Sequence, residues 1–111
     1  MKKFLVLYRM DMDAMRKMME ASSAEDRKKS MGEWGTWMKK HAADFADMGG
    51  PVGKNTQVGK SGSAEMSNDI GGYSVMQAES KEAVAALLAD NPHFKMPGAV
   101  VDLMEITSMG T

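Results

Sequence analysis

Residues 70–106 read IGGYSVMQAES, KEAVAALLADNPHF, KMPG and AVVDLMEI in succession. The glycine-flanked stretch over residues 73–78 is rich in residue types that favour extended backbone, and it predicts a strand. A helix is predicted to begin after Ser80, a suitable N-cap, and to end at Asp90, because an Asn-Pro pair follows and the residue before a proline resists helical angles. The apolar run over residues 100–107 predicts a second strand. This part of the chain is therefore predicted to form one compact β-α-β unit.

The first half of the chain predicts a similar arrangement. Residues 4–8, FLVLY, predict a buried strand, and the run is shorter than the apolar part of a secretion signal. Methionines at helical spacing predict a short helix over residues 11–21. A longer helix is predicted to begin at a capping box in SSAE, residues 22–25, and to end at Met48, where Gly-Gly-Pro follows. Two polar segments complete this half, an edge strand over residues 52–58 and a mobile loop over residues 59–69.

The order of the main predicted elements is β-α-β-β-α-β. It predicts a ferredoxin-like α+β sandwich, in which a four-stranded antiparallel sheet carries two helices on one face, within a single domain of residues 1–111. The first and last strands are apolar on both faces, whereas two helices cover only one face of a sheet. Soluble proteins rarely expose so large an apolar surface, so we expect a homodimer in which two sheets pack together.

The composition excludes several classes of site and partner. Fourteen Lys and Arg residues stand against fifteen Asp and Glu residues, which gives a net charge of −1, so a nucleic acid partner is not expected. The chain has no cysteine, which excludes disulfides and thiolate metal sites. We expect no cofactor and no membrane partner, and we take a cytoplasmic location as the default.

His41 is the residue best suited to carry chemistry. It falls at helical spacing within an apolar, aromatic stripe that includes Trp34, Met38 and Phe45, so it is predicted to be half-buried against the sheet. Burial favours the neutral imidazole, which can act as a general base. The alternative is a structural core histidine bonded to a backbone carbonyl. Its possible partners are three residues elsewhere in the chain, namely Asp44, Asp90 and His93.

Trp34 and Trp37 lie one helical turn apart beside this histidine. Such aromatic pairs often line small-molecule pockets, although large rings are also common packing residues of a core. The fourteen methionines raise a separate possibility, because Met12, Met15 and Met18 would line one helix face with thioethers that suit Cu(I). Methionine is equally an adaptable filler of apolar surfaces, so a copper-handling protein remains an outside alternative.

Several of these segments resemble the YCII-related proteins, relatives of the DGPF-domain proteins. The resemblance rests on Trp34-x-x-Trp37, Gly49-Gly50, Ile70-Gly71-Gly72-Tyr73, Ala78-Glu79-Ser80, Glu82-Ala83 and Asn91-Pro92-His93. It implies a ferredoxin-like homodimer, a dimeric α+β barrel in which two facing sheets form the barrel. It also implies a small-molecule pocket, although many members have no assigned activity.

The chain departs from this family at two motifs. Residues 66–70, MSNDI, stand where DGPF proteins carry Asp-Gly-Pro-Phe. The family's Asp-Pro-Tyr turn, part of a proposed catalytic dyad, reads Asn91-Pro92-His93 here, so an amide replaces the acid. The sequence therefore predicts a small-molecule-binding protein with a pocket around Trp34, Trp37 and His41, which would be a cofactor-free acid–base enzyme if the histidine is catalytic. The alternative is a non-catalytic binding or accessory protein.

Overall fold

A four-stranded antiparallel sheet organises the molecule, which is described here from a computed structural model covering residues 1–96 and 98–107. The strands are β1 Lys2–Arg9, β2 Phe45–Pro51, β3 Asn55–Gly59, β4 Gly62–Met66, β5 Ile70–Ala78 and β6 Val100–Glu105. The helices are α1 Met12–Ala21, α2 Ala24–Lys40 and α3 Lys81–Leu88, with short 3₁₀ turns at Ala42–Asp44 and Pro92–Lys95.

The strand order in the sheet is β2-β5-β1-β6, and each neighbouring pair is antiparallel. In the two central registers, Val6 of β1 lies opposite Ser74 of β5 and Leu103 of β6. Strands β3 and β4 form a separate two-stranded hairpin between β2 and β5. The order of the four sheet strands and their helical crossovers confirm the predicted ferredoxin-like α+β sandwich.

The core lies between the sheet and helices α2 and α3. Alternate residues of β1, beginning with Phe4 and Val6, are buried on this face together with Met76 of β5. Val84 comes from α3 and Trp37 from α2. Because side chains alternate across a strand, one face of the sheet supplies a continuous apolar layer for both helices.

The buried core residues of α2 and α3 pack on the first face, and we call the other face of the sheet the open face. Leu5 and Leu7 of β1 lie there, opposite Val75 and Tyr73 of β5 in the sheet register. Met104 of β6 pairs with Leu5 and is close to half exposed. This confirms the prediction that the first and last strands are apolar on both faces.

The long helix predicted to end at Met48 ends at Lys40, so that prediction was wrong. Phe45 and Met48 fit helical spacing by coincidence, since they belong to β2, an edge strand with an irregular register to β5. Gly49 has a φ of 66°, and a Cβ there would lie 1.9 Å from the carbonyl oxygen of Tyr73. The glycine therefore permits a close approach of two strands and does not cap a helix.

The predicted edge strand over residues 52–58 and loop over residues 59–69 are also corrected. Part of each segment pairs with the other in the β3–β4 hairpin, whose two-residue turn is Lys60-Ser61. The glycine and serine content suggested a loop, but pairing across a tight turn gave these residues a regular structure. The capping box of α2 is formed by Ser23 and Asp26, one residue later than predicted.

Candidate functional site

His41 lies at the C-terminal end of α2, where it is the last residue before the 3₁₀ turn. Its side chain is more buried than predicted, with 9% of the residue exposed, and its ring packs on Trp37 with 4.9 Å between centroids. The ring nitrogen Nδ1 is 3.5 Å from Oδ2 of Asp44. The other nitrogen, Nε2, is 3.8 Å from Oδ1 of Asp90, which follows α3.

Asp90 is held in place by two donors from α2. Trp37 Nε1 donates to Oδ1 at 2.9 Å, and Lys40 Nζ donates to Oδ2 at 3.0 Å. The hydrogen bond from Lys40, followed by that from Trp37, holds the pKa of the Asp90 carboxyl below its ordinary value. An ionised carboxylate therefore lies beside the His41 ring at neutral pH.

The Nε2 atom of His41 is buried and has no hydrogen-bond partner among the described residues. A buried polar atom without a partner costs free energy, on the order of 1–3 kcal/mol. The distance of 3.8 Å to Asp90 is too long for a hydrogen bond, so the nitrogen and the carboxylate face each other without one. A buried imidazole nitrogen that lacks a partner and lies beside a carboxylate is the feature that supports an acid–base role of His41.

His93 is not beside His41. It is buried, and its Nε2 lies 2.8 Å from the carbonyl oxygen of Arg9 and 3.0 Å from that of Val100. Both neighbours are acceptors, so this nitrogen must carry the proton that it shares between them. The Asn91 side chain accepts from the His93 backbone N–H at 2.8 Å, which fixes the turn that carries the ring. Through these two contacts His93 links the end of β1 to the start of β6.

A row of aromatic contacts links the two histidines. Tyr8 packs edge-on against His93 and also against Trp34, with centroid separations of 5.6 and 5.4 Å. Trp34 in turn contacts Trp37 at 6.2 Å. Trp37 belongs to the buried core and Trp34 packs partly buried against it. Both tryptophans therefore contribute packing, and Trp37 also positions Asp90.

A shallow cavity of about 420 Å³, widely open to solvent, lies elsewhere, on the open face of the sheet. Its apolar lining comes from Leu5, Leu7, Val52, Ile70 and Tyr73. Sequence reasoning missed this site because its residues come from three separated segments. The available signal was the second apolar face of β1, which we used only to predict assembly.

The polar lining of this cavity comes from the base of the β3–β4 hairpin. Lys54, Asn55, Thr56 and Asn68 contribute to it. Asn68 Nδ2 donates to Oδ1 of Asn55, while Asn68 Oδ1 accepts from the Ile70 backbone N–H at 2.9 Å. These contacts join the hairpin to the start of β5, so the polar wall is held at a fixed position relative to the apolar floor.

An ion-pair cluster lies near the same end of the sheet. Arg9 donates through Nε and Nη2 to the carboxylate of Asp69 and through Nη1 to Asp102 at 2.8 Å. The hydrogen bonds from Arg9 hold the pKa of Asp69 below its ordinary value. The cluster connects the end of β1 to β6 and to the segment before β5, which stabilises one rim of the open face.

The methionine-rich helix α1 lies largely in solvent. All of its residues are described, and none is buried; Met12, Met18 and Met19 are exposed. Across residues 1–96 and 98–107, no three His, Asp or Glu side chains are grouped so that they could hold a metal ion. Copper binding by the thioethers stays a prediction. No helix in the described part of the chain is both long and apolar enough to span a membrane.

Comparison with known proteins gives information about the fold. No family model matches the chain, and no curated protein sequence matches it. Among solved structures, it is similar to 5-chloro-2-hydroxyhydroquinone dehydrochlorinase from Burkholderia phenoliruptrix, in complex with 2,5-dihydroxybenzoquinone. The TM-score is 0.51 at 16% identity, over 92% of this chain and 91% of that chain. At this identity the likeness shows the fold alone, and it agrees with the α+β sandwich described above.

Proposed function

We propose that the chain forms a homodimer that binds a small, mainly apolar molecule in the cavity on the open face. The observation that carries the proposal is a cavity of about 420 Å³ whose floor is an uncovered apolar sheet. Ligand sites in proteins generally measure about 300–1,000 Å³ and combine apolar walls with a few polar groups. A second copy packed over the open face would supply the missing roof.

The exposed surface supports assembly. The chain exposes 7934 Å², whereas a compact monomer of 12.1 kDa is expected to expose about 6,000 Å². The excess of about 1,900 Å² is larger than the roughly 800 Å² that each partner contributes to a standard interface. The molecule is also a slab, with extents of 50 × 44 × 20 Å. A homodimer of the YCII-related kind would bring two such slabs together through their sheets.

The lining suggests the chemistry of the ligand. Leu5, Leu7 and Tyr73 would contact an apolar ring, while Lys54 would favour an anionic substituent on it. The carboxamides of Asn55 and Asn68 offer further polar contacts. The similar dehydrochlorinase was solved with 2,5-dihydroxybenzoquinone, a small ring compound, which is consistent with this class of ligand.

The proposal can be tested with 8-anilinonaphthalene-1-sulfonate, which joins an apolar ring system to an anionic group. We expect a saturable fluorescence increase at one probe per copy. Gly53→Trp should abolish it, because Gly53 lines the cavity and a Cβ there meets nothing within 4 Å. Gly35→Trp is the matched control, since a Cβ at that helical glycine is equally unobstructed. Equal probe binding by both variants would contradict the proposed site.

A second candidate function is cofactor-free acid–base catalysis at His41. It is favoured by the buried Nε2 atom that lacks a partner and faces the ionised Asp90 carboxylate. That carboxylate would stabilise the imidazolium formed when Nε2 takes a proton. A substrate could reach the ring if the side chain of Lys40, which is more than half exposed, moved aside. The non-catalytic alternative is that His41 only packs on Trp37.

A further inference from the structure

We infer that the β3–β4 hairpin is an arm that packs against the second copy of this chain. The inference rests on the homodimer proposed above and adds the element that would clasp the partner. All residues of β3 and β4 are exposed except Asn55, which is partly buried, and Val58 is 78% exposed. An isolated two-stranded hairpin is marginally stable in water, so a partner surface would stabilise it.

The base of the hairpin fixes its direction. Asn68 bonds both Asn55 and the start of β5, and the Val52 backbone N–H donates to the carbonyl oxygen of Gly71 at 3.1 Å. Asn55 and Thr56 line the same cavity as Leu5 and Leu7. The base of the hairpin therefore borders the open face, on the side of the sheet opposite the helices. A molecule that covers the open face would lie next to the hairpin.

A second copy is the occupant that fits these observations. The excess surface of about 1,900 Å² per chain exceeds what one side of a standard interface buries, and the base of the hairpin borders the open face. The hairpin offers Val58 as an exposed apolar side chain, on the same hairpin face as the polar pair Thr56 and Glu65. This mixture is typical of the edge of an interface, where contacts are partly polar.

The first test compares two exposed apolar residues changed to glutamate. Val58→Glu should raise the dimer dissociation constant at least tenfold in sedimentation equilibrium. Met31→Glu on α2 is the matched control, because Met31 is 75% exposed, and it should change that constant less than twofold. Leu5→Glu, on the open face, tests whether the dimer forms through this face. If Leu5→Glu dissociates the dimer and Val58→Glu behaves like Met31→Glu, the arm is disproved while the dimer stands.

The second test does not depend on a destabilising charge. The chain has no cysteine, so Val58→Cys can be labelled uniquely with a maleimide-benzophenone cross-linker. We expect irradiation to give a dimer-sized product on a denaturing gel, and Met31→Cys to give little. The product should disappear when Leu5→Glu is added. Cross-links confined to one chain, in a sample that sediments as a dimer, would overturn the inference. A wild-type chain that sediments as a monomer throughout would remove both proposals.

Discussion

The two faces of the sheet differ in how much of each face a single copy of the chain covers. Successive residues of β1 alternate between the faces, so Phe4 and Val6 are sealed beneath the helices while Leu5 and Leu7 line an open cavity. Both faces receive large apolar side chains from β1. Apolar composition therefore establishes that a face must be covered, but the crossover connections decide which face the chain covers itself.

The polar groups on the two faces also differ in their exposure to solvent. On the helix face, the Tyr8 hydroxyl and the Ser74 hydroxyl bond each other at 2.9 Å, and burial raises the pKa of Tyr8. Near the open face, Arg9 is paired with Asp69 and Asp102, and all three side chains keep contact with solvent. On the helix face the polar groups are thus buried and bonded to each other, as in a protein interior. The open face instead combines apolar and charged groups, as is typical of a surface that contacts a ligand or a partner.

The largest expected effect comes from a substitution on the helix face. Met76→Ala should lower the free energy of unfolding by about 2–5 kcal/mol, because Met76 is fully buried and its removal leaves a cavity. Val75→Ala, on the adjacent residue but the opposite face, should cost less than half as much. Urea denaturation at two protein concentrations measures both. Equal losses for the two variants would contradict the contrast between the faces.

The elements whose patterns are local were predictable from the sequence. A short apolar run identified β1, glycine-flanked residues that favour extended backbone identified β5, and Ser80 identified the start of α3. The end of α2 was not predictable, since Phe45 continued the helical spacing although it begins an edge strand. Gly49 was interpreted as a helix cap, but its role depends on the position of Tyr73, 24 residues later in the chain. Tertiary contact decided both cases.

The candidate sites were predictable only in part. His41 and Asp90 were both named from the sequence, but their approach to 3.8 Å depends on how α2 meets the end of α3. Nothing in the sequence favoured Asp90 over His93 as the partner of His41, whereas in the structure His93 bonds two backbone carbonyls. The open-face cavity could not be predicted, because residues 52–58 were expected to form an edge strand and residues 59–69 a mobile loop, whereas the two segments pair in the hairpin whose base forms the polar wall.

A smaller effect distinguishes the two interpretations of His41 on the helix side. If His41 is kept for its chemistry, His41→Phe should change the free energy of unfolding by no more than about 1 kcal/mol, because an apolar ring of similar shape removes a buried nitrogen that has no partner. His41→Gln should cost about 1–3 kcal/mol, since it keeps a polar group there. Chemical denaturation measures both. A greater loss for phenylalanine than for glutamine would show that a polar side chain at this position contributes to the stability of the fold.

The smallest expected effect concerns the charge of Asp90. Its pKa in the folded chain is lowered, chiefly by the hydrogen bond from Lys40 and then by that from Trp37, so the folded state holds the carboxylate more strongly than the unfolded state does. The resulting stabilisation is fully present above the ordinary pKa near 3.8 and is lost as the pH falls through the lower folded value.

Asp90→Asn removes this contribution while keeping an oxygen that can accept from Trp37. The difference in unfolding free energy between wild type and variant should be constant from pH 5 to 7 and should shrink below pH 4, by roughly the linkage expected for one carboxyl group. Because Asp90 and Lys40 are exposed, 1 M salt should reduce the difference. Urea denaturation across this pH range provides the measurement. A difference that persists unchanged at pH 3 would mean that Asp90 acts through packing and hydrogen bonding, and that its charge contributes nothing to the helix side of the sheet.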